Sequence, residues 1–318
     1  MVMPDINFAD PMVYFDGNKY WAFATQNGST KIQVAQADSA SGKWDLLMDG
    51  DISYDALQPQ PNTGTWSNQQ NVWAPSVFQN INGEYLMYYS ASMATLPGQH
   101  CIGVATSSTG LAQGPYVPYN GDTPLKNCHL DKGGSIDGSV FIDPSDNHTV
   151  YLVYKVDGNN VNKPTPIMLQ RMADDGLTID IESPPKQLIT NEKADGPVVE
   201  APNIIYINRK YVLFFSSNAY NTDLYDVSYA YSADLRIGDW NKTTTPLLQT
   251  NNPFAGMTAP GGASALVNPD GVTGDLYFHA NCPVTTGKSS SAKRCMYYIP
   301  ISSEVDDDSG VISIHAGS

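Results

Sequence analysis

The sequence predicts an all-β chain folded as a five-bladed β-propeller, and three observations carry the prediction. A short slot recurs at the head of an apolar, tyrosine-rich run: Ala9-Asp10-Pro11, Trp73-Ala74-Pro75, Ser135-Ile136-Asp137, Glu200-Ala201-Pro202 and Ala263-Ser264-Ala265. With Val13, Val77, Val140, Ile204 and Ala265 as equivalents, the separations are 64, 63, 64 and 61 residues, and five periods account for all 318. That spacing is too long for a helical repeat and suits a four-stranded meander, the unit of a propeller blade. Finally, no 12-residue stretch keeps a helical period free of Gly, Pro or β-branched clusters, so helix content should be minimal.

Each period opens with two legible strands. Met12–Phe15 leads to Tyr20–Phe23, Val77–Gln79 to Tyr85–Tyr89, Val140–Ile142 to Val150–Tyr154, Ile204–Ile207 to Tyr211–Phe215, and Ala265–Val267 to Leu276–Phe278. Asp16-Gly17-Asn18, Asn82-Gly83 and Asn208-Arg209 join them, and Asn and Gly supply the positive φ that hairpin turns need. A third strand follows in most periods, as in Ile32–Ala35, Ile102–Ala105 and Val227–Ala230. The whole of 1–318 reads as one catalytic propeller, with no linker.

In a ring of blades, equivalent positions face one end of a common axis. Asp10, Asp137 and Glu200, far apart in sequence, should therefore converge on a central pocket, which is the arrangement acid and base chemistry on a small ring requires. The alternative for any one of them is a strand-start cap. Three at blade spacing favour chemistry.

Composition narrows the partners. Against 32 acidic residues stand 17 Lys and Arg, a net charge of −15, which excludes the phosphate backbone of nucleic acid and anionic membranes but not a neutral polymer. No apolar run approaches 18 residues, so no membrane span is expected. The four cysteines allow three pairings. Cys101 with Cys128 and Cys282 with Cys295 is the simplest, and each bond would contribute about 3 kcal/mol by loop closure. No metal-binding cysteine spacing is present. Sequons at Asn27, Asn147 and Asn241, together with the cysteines, point to a secreted protein whose signal is not part of this chain. A monomer is expected.

With the slots aligned, the whole chain resembles glycoside hydrolase family 43, five-bladed hydrolases of arabinan, arabinoxylan and xylan. The resemblance rests on Ala9-Asp10-Pro11, Trp73-Ala74-Pro75, Ser135-Ile136-Asp137 and Glu200-Ala201-Pro202 in order. It implies that Asp10 is the general base, Glu200 the general acid, and Asp137 the residue that orients the acid and sets its pKa. Physical reasoning agrees. An inverting glycosidase holds acid and base about 6.5–9.5 Å apart to admit a water, and a third carboxylate beside the acid keeps it protonated by like-charge repulsion.

Trp73, at the same inner end, is expected to form a platform for a sugar face, and Trp66, in the polar insertion from Ser53 to Asn71, to rim the pocket. A second insertion, from Pro283 to Arg294, is further rim material. His279 matches a family histidine that touches calcium or a water cluster in the channel. The ion would be structural and bound mostly through water, and no cofactor is required. Ser76 and Ala201 stand where many relatives have an acidic residue and a glycine, and Ala259–Ala263 lacks a histidine found in some. No C-terminal β-sandwich is expected, which favours an α-L-arabinofuranosidase with β-xylosidase side activity on plant cell-wall polysaccharide. An endo-arabinanase with an open groove and a non-catalytic carbohydrate-binding propeller are the alternatives. A retaining invertase-like propeller lacks its Asn-Asp-Pro-Asn signature here.

Overall fold

A computed structural model describes residues 1–58, 63–119, 121, 123–283 and 293–317. Five four-stranded antiparallel sheets follow one another along the chain. Blade one holds β1 (Met12–Phe15), β2 (Tyr20–Ala24), β3 (Gln33–Ala37) and β4 (Asp45–Leu46), followed by a small hairpin of β5 (Met48–Asp49) and β6 (Ile52–Ser53). Blade two holds β7 (Trp73–Gln79), β8 (Tyr85–Ser92), β9 (His100–Ser107) and β10 (Tyr116–Pro118). Blade three has β11 (Ser135–Asp143), β12 (Thr149–Val156), β13 (Ile167–Arg171) and β14 (Lys186–Ile189). Blade four has β15 (Val199–Ile207), β16 (Lys210–Ser217), β17 (Ser228–Ser232) and β18 (Asn241–Lys242). Blade five has β19 (Gly261–Val267), β20 (Thr273–Asn281), β21 (Arg294–Val305) and β22 (Ile312–Ala316). Helix among the described residues is confined to three short 3₁₀ turns.

The apolar core is divided among the seams between blades, because alternate residues of a strand face opposite sides of its sheet. Phe141, Tyr151 and Val153 of blade three pack against Ile204, Leu213 and Phe215 of blade four. Their sequence neighbours Val150, Leu152 and Tyr154 pack the other way, against Phe78, Leu86 and Tyr88 of blade two. The ring closes between Val13 and Ala22 of blade one and Tyr277 and Met296 of blade five. There the N-terminal segment is also tied in by backbone, with Val2 N–H donating to Met296 O and Phe8 N–H to Arg294 O.

The expected strand pairs are present, and most inner strands begin earlier than predicted. The reason is a β-bulge at the recurring slot, which lets pairing resume on its far side: the register shifts between Trp73 and Ser76, Ile136 and Ser139, Glu200 and Asn203, and Gly261 and Ser264. Pro75 and Pro202 fall inside such bulges, where a missing N–H removes no ladder bond. The cysteines pair as Cys101–Cys128 and Cys282–Cys295. No helix among the described residues is long and apolar enough to cross a membrane.

Candidate active site

Each slot turns on a residue in the left-handed region. Asp10, Ala74, Asp137, Ala201 and Gly262 stand at the same position of their blades and have φ of 53, 44, 57, 51 and 58°. Glycine and aspartate tolerate that conformation, whereas alanine holds it under strain, a sign that the surroundings dictate the backbone. This alignment corrects one expectation. Asp10 and Asp137 are true equivalents, but Glu200 precedes its left-handed residue and is the counterpart of Trp73 and Gly261.

Two belts of hydrogen bonds fix the slots to one another across the seams. In the lower belt, the residue before the apolar run bonds the next blade: Val140 N–H donates to Ser76 Oγ (3.1 Å), Ala265 N–H to Asn203 Oδ1 (3.0 Å) and Val13 N–H to Ser264 Oγ (3.3 Å). In the upper belt, the N–H of each left-handed residue is taken by a side chain on the second strand of the preceding blade or just past it. Ala74 donates to Thr25 Oγ1 (3.0 Å), Asp137 to Ser90 Oγ (3.0 Å), Gly262 to Ser216 Oγ (3.0 Å) and Asp10 to His279 Nδ1 (3.1 Å). At the remaining seam the second strand offers Lys155, which has no acceptor, and Ala201 N–H donates instead to Asp137 Oδ2 (2.9 Å).

Above the belts lies a cavity of about 410 Å³, within the range of small-ligand sites. Asp10, Asp137 and Glu200 all line it, joined by Trp73, His100 and Arg294. The three carboxylates that the sequence singled out are thus brought together. The Glu200 carboxylate receives Lys155 Nζ at Oε2 (2.9 Å) and Tyr225 Oη at Oε1 (2.8 Å). Asp10 receives Thr25 Oγ1 at Oδ2 (2.6 Å) and Arg294 Nη1 at Oδ1 (3.4 Å).

These neighbours set the charges. Burial alone would raise the Asp10 carboxyl, but Arg294, His279 and the Thr25 hydroxyl outweigh it and hold it below the usual range. His279 itself is pushed down to about 3 by burial and by Arg294. It is therefore neutral at ordinary pH, and Arg294 and Thr25 carry the effect. Asp137 moves the other way: burial first, then the Glu200 charge, push it up to about 7, with Lys155 opposing. The slots of blades one and three thus favour an ionised carboxylate at Asp10 and a retained proton at Asp137, the kind of separation on which base and acid roles depend.

Trp73 lines the cavity, and its ring stacks on His100 with centroids 3.8 Å apart and planes inclined by 20°. Trp66 does not line the cavity. It is 7% exposed, lies within the core between blades one and two, and stacks near Tyr89 at 6.3 Å. The rim assigned to Pro283–Arg294 lies mostly at 284–292, and part of the other insertion at 59–62, both outside the described residues. His279 is fully buried; its Nδ1 accepts from Asp10, and its Nε2 has no partner. No group of three His, Cys, Asp or Glu suited to a metal occurs among the described residues. With Nδ1 accepting, His279 Nε2 carries the proton and is a donor, so among the described residues this histidine does not fit the expected calcium ion as a ligand.

Lys155, His100, Tyr225 and Arg294 also line the cavity and were not among the expected site residues. Their signal was present for Lys155 alone: it lies one position past the expected strand Val150–Tyr154, a charge at the end of an apolar run.

A sequence profile for glycosyl hydrolases family 43 matches residues 54–298. The chain is 24% identical over 286 residues to a β-D-galactofuranosidase of Aspergillus niger, an alignment covering 86% of this chain and 73% of that one. It is 32% identical over 124 residues to a probable arabinan endo-1,5-α-L-arabinosidase of Aspergillus flavus, covering 39% of this chain and 35% of the relative. Among solved structures, a thermostable family-43 glycoside hydrolase superposes with a TM-score of 0.77 at 23% identity, covering 99% and 96% of the two chains, a likeness of fold.

Proposed function

From a chain that belongs to glycosyl hydrolases family 43 and is a glycoside hydrolase, we propose an inverting enzyme that releases single pentoses, α-L-arabinofuranose foremost, from plant cell-wall arabinan or arabinoxylan. The observation that carries this reading is the cavity of about 410 Å³ walled by Asp10, Asp137, Glu200 and Trp73. A cavity of that size suits the end of a chain better than its middle. The furanose preference draws support from the relatives, which are named for arabinan and for galactofuranoside.

In this reading Asp10, kept ionised by Arg294 and Thr25, takes a proton from a water, and that water attacks the anomeric carbon from the side opposite the leaving group. Glu200 protonates the departing oxygen. Asp137, whose Oδ2 is tied to Ala201 N–H beside Glu200, holds the acid's backbone in place, and repulsion between the two carboxyls keeps a proton on the pair. The two disulfides support action outside the cell.

NMR of the first-formed sugar, with product chromatography on linear arabinan and arabinoxylan, tests the reading. Inverted configuration and immediate accumulation of free pentose are expected. Retention would overturn the water-base mechanism. Inversion with an early ladder of oligosaccharides would keep the chemistry and replace chain-end attack with the endo-arabinanase reading.

A further inference from the structure

The upper belt of hydrogen bonds has one irregular link, and it lies at the acid. Thr25, Ser90, Lys155, Ser216 and His279 stand at one equivalent position, three residues past the partners of Val13, Val77, Val140, Ile204 and Ala265. Four of them accept the N–H of the next blade's left-handed residue. An ammonium has no lone pair to offer, and the link is made by Asp137 instead. The ring is therefore built well enough with Thr, Ser or His here, and nothing in the fold asks for lysine.

Lysine is moreover an expensive choice. Its side chain is 1% exposed, lysines are almost never buried so fully unless paired, and such pairs seldom repay their desolvation in stability. Its Nζ lies 2.9 Å from Glu200 Oε2 and 2.9 Å from Asp157 Oδ1. Burial alone would strip its proton, but Glu200, Asp157 and Asp137 outweigh that and hold its pKa above the ordinary value, so the charge persists.

We propose that Lys155 is a positioning residue of the acid, which pins Glu200 in one orientation and supplies the positive charge that counters Asp137. The proposal rests on Glu200 being the general acid. The groups around Glu200 are Asp137 on β11, Lys155 on β12, Asp157 just beyond it, Tyr225 before β17, and Asp10, His100 and Arg294 across the cavity. Three of these are carboxylates. A carboxyl set among other carboxylates needs a cation beside it to serve as an acid, because an acid works best with its pKa near the working pH, and Lys155 Nζ stands 2.9 Å from Glu200 Oε2. Asp137 brings negative charge to Glu200, Lys155 sets a positive charge against Oε2, and Tyr225 fixes the second oxygen without adding charge.

The test is the basic limb of the kcat/KM profile against pH on an unactivated arabinoside. Lys155→Gln should move that limb upward by about one to three pH units, the usual effect of an adjacent opposite charge. Lys155→Arg should keep it close to the unsubstituted enzyme. Should Lys155→Gln not fold, Lys155→Gln combined with Asp157→Asn, read against Asp157→Asn alone, gives the same comparison without an unpaired buried anion. An unmoved or lowered limb, even with a reduced melting temperature, makes Lys155 structural and overturns the proposal. Failure of the underlying reading looks different: Glu200→Ala would then lose activated and unactivated substrates alike, whatever the Lys155 variants do.

Discussion

Asp10 and Asp137 occupy the same position in blades one and three, both with positive φ, at 53 and 57°, yet their carboxyls are driven in opposite directions. The backbone is common to both. What differs is the company: Arg294 and Thr25 around Asp10, and Glu200 beside Asp137. One repeated turn therefore yields an ionised carboxylate at one slot and a proton-retaining one at another.

Asp10→Ala should abolish hydrolysis of both polymer and aryl glycosides, a fall of about 10²-fold or more, since no other described group is placed to activate the water. Initial rates on both substrates check it. Substantial activity left on the aryl glycoside would remove Asp10 from the base role.

Glu200→Ala should separate the two substrates. Polymer turnover should fall by about 10²–10⁴-fold, whereas a nitrophenolate leaves with little help and its release should be largely kept. Equal losses would mean that Glu200 is not the acid.

Asp137→Asn should shift the basic limb of the pH–rate profile downward, because the acid loses a negative neighbour. A second effect concerns stability. The Asp137 carboxyl is raised in the folded protein to about 7, so its contribution is full below the unfolded value near 4 and is lost as pH climbs through 7. The asparagine variant has no such loss. Its melting temperature relative to the unsubstituted protein should rise between pH 4 and pH 8, and a flat difference would contradict the assigned shift.

Trp73→Ala and Trp66→Ala should fail in different assays. Loss of the cavity wall at Trp73 should lower kcat/KM by a few-fold to about tenfold, in line with 0.5–1.5 kcal/mol for an aromatic contact. Removing Trp66 from the core should cost about 3–5 kcal/mol of stability and leave KM unchanged in the folded enzyme. A raised KM with no loss of melting temperature for Trp66→Ala would return it to the substrate.

The blades, their inner strand pairs, the disulfide partners and the convergence of three carboxylates were legible because each leaves a local mark: alternation, a turn residue, a repeated spacing. Trp66 was misread for want of such a mark, since a tryptophan in a polar insertion gives no hint that it folds back beside Tyr89. The fourth strands β4 and β18, two residues each, are too short to show a pattern. Lys155 meets a carboxylate 45 residues away across the seam between blades three and four, and Arg294 meets one 284 residues away, where ring closure brings it.

That closure also orders events in time. Asp10 is made 269 residues before the acceptor for its N–H, His279, and 284 before the guanidinium beside its carboxylate, Arg294, both of blade five. Synthesis runs from the N-terminus, and early parts fold before late ones exist. A nascent chain lacking its fifth blade would thus hold the Asp10 carboxylate by Thr25 alone, and its full set of partners would arrive in one step, when the fifth blade docks against the first.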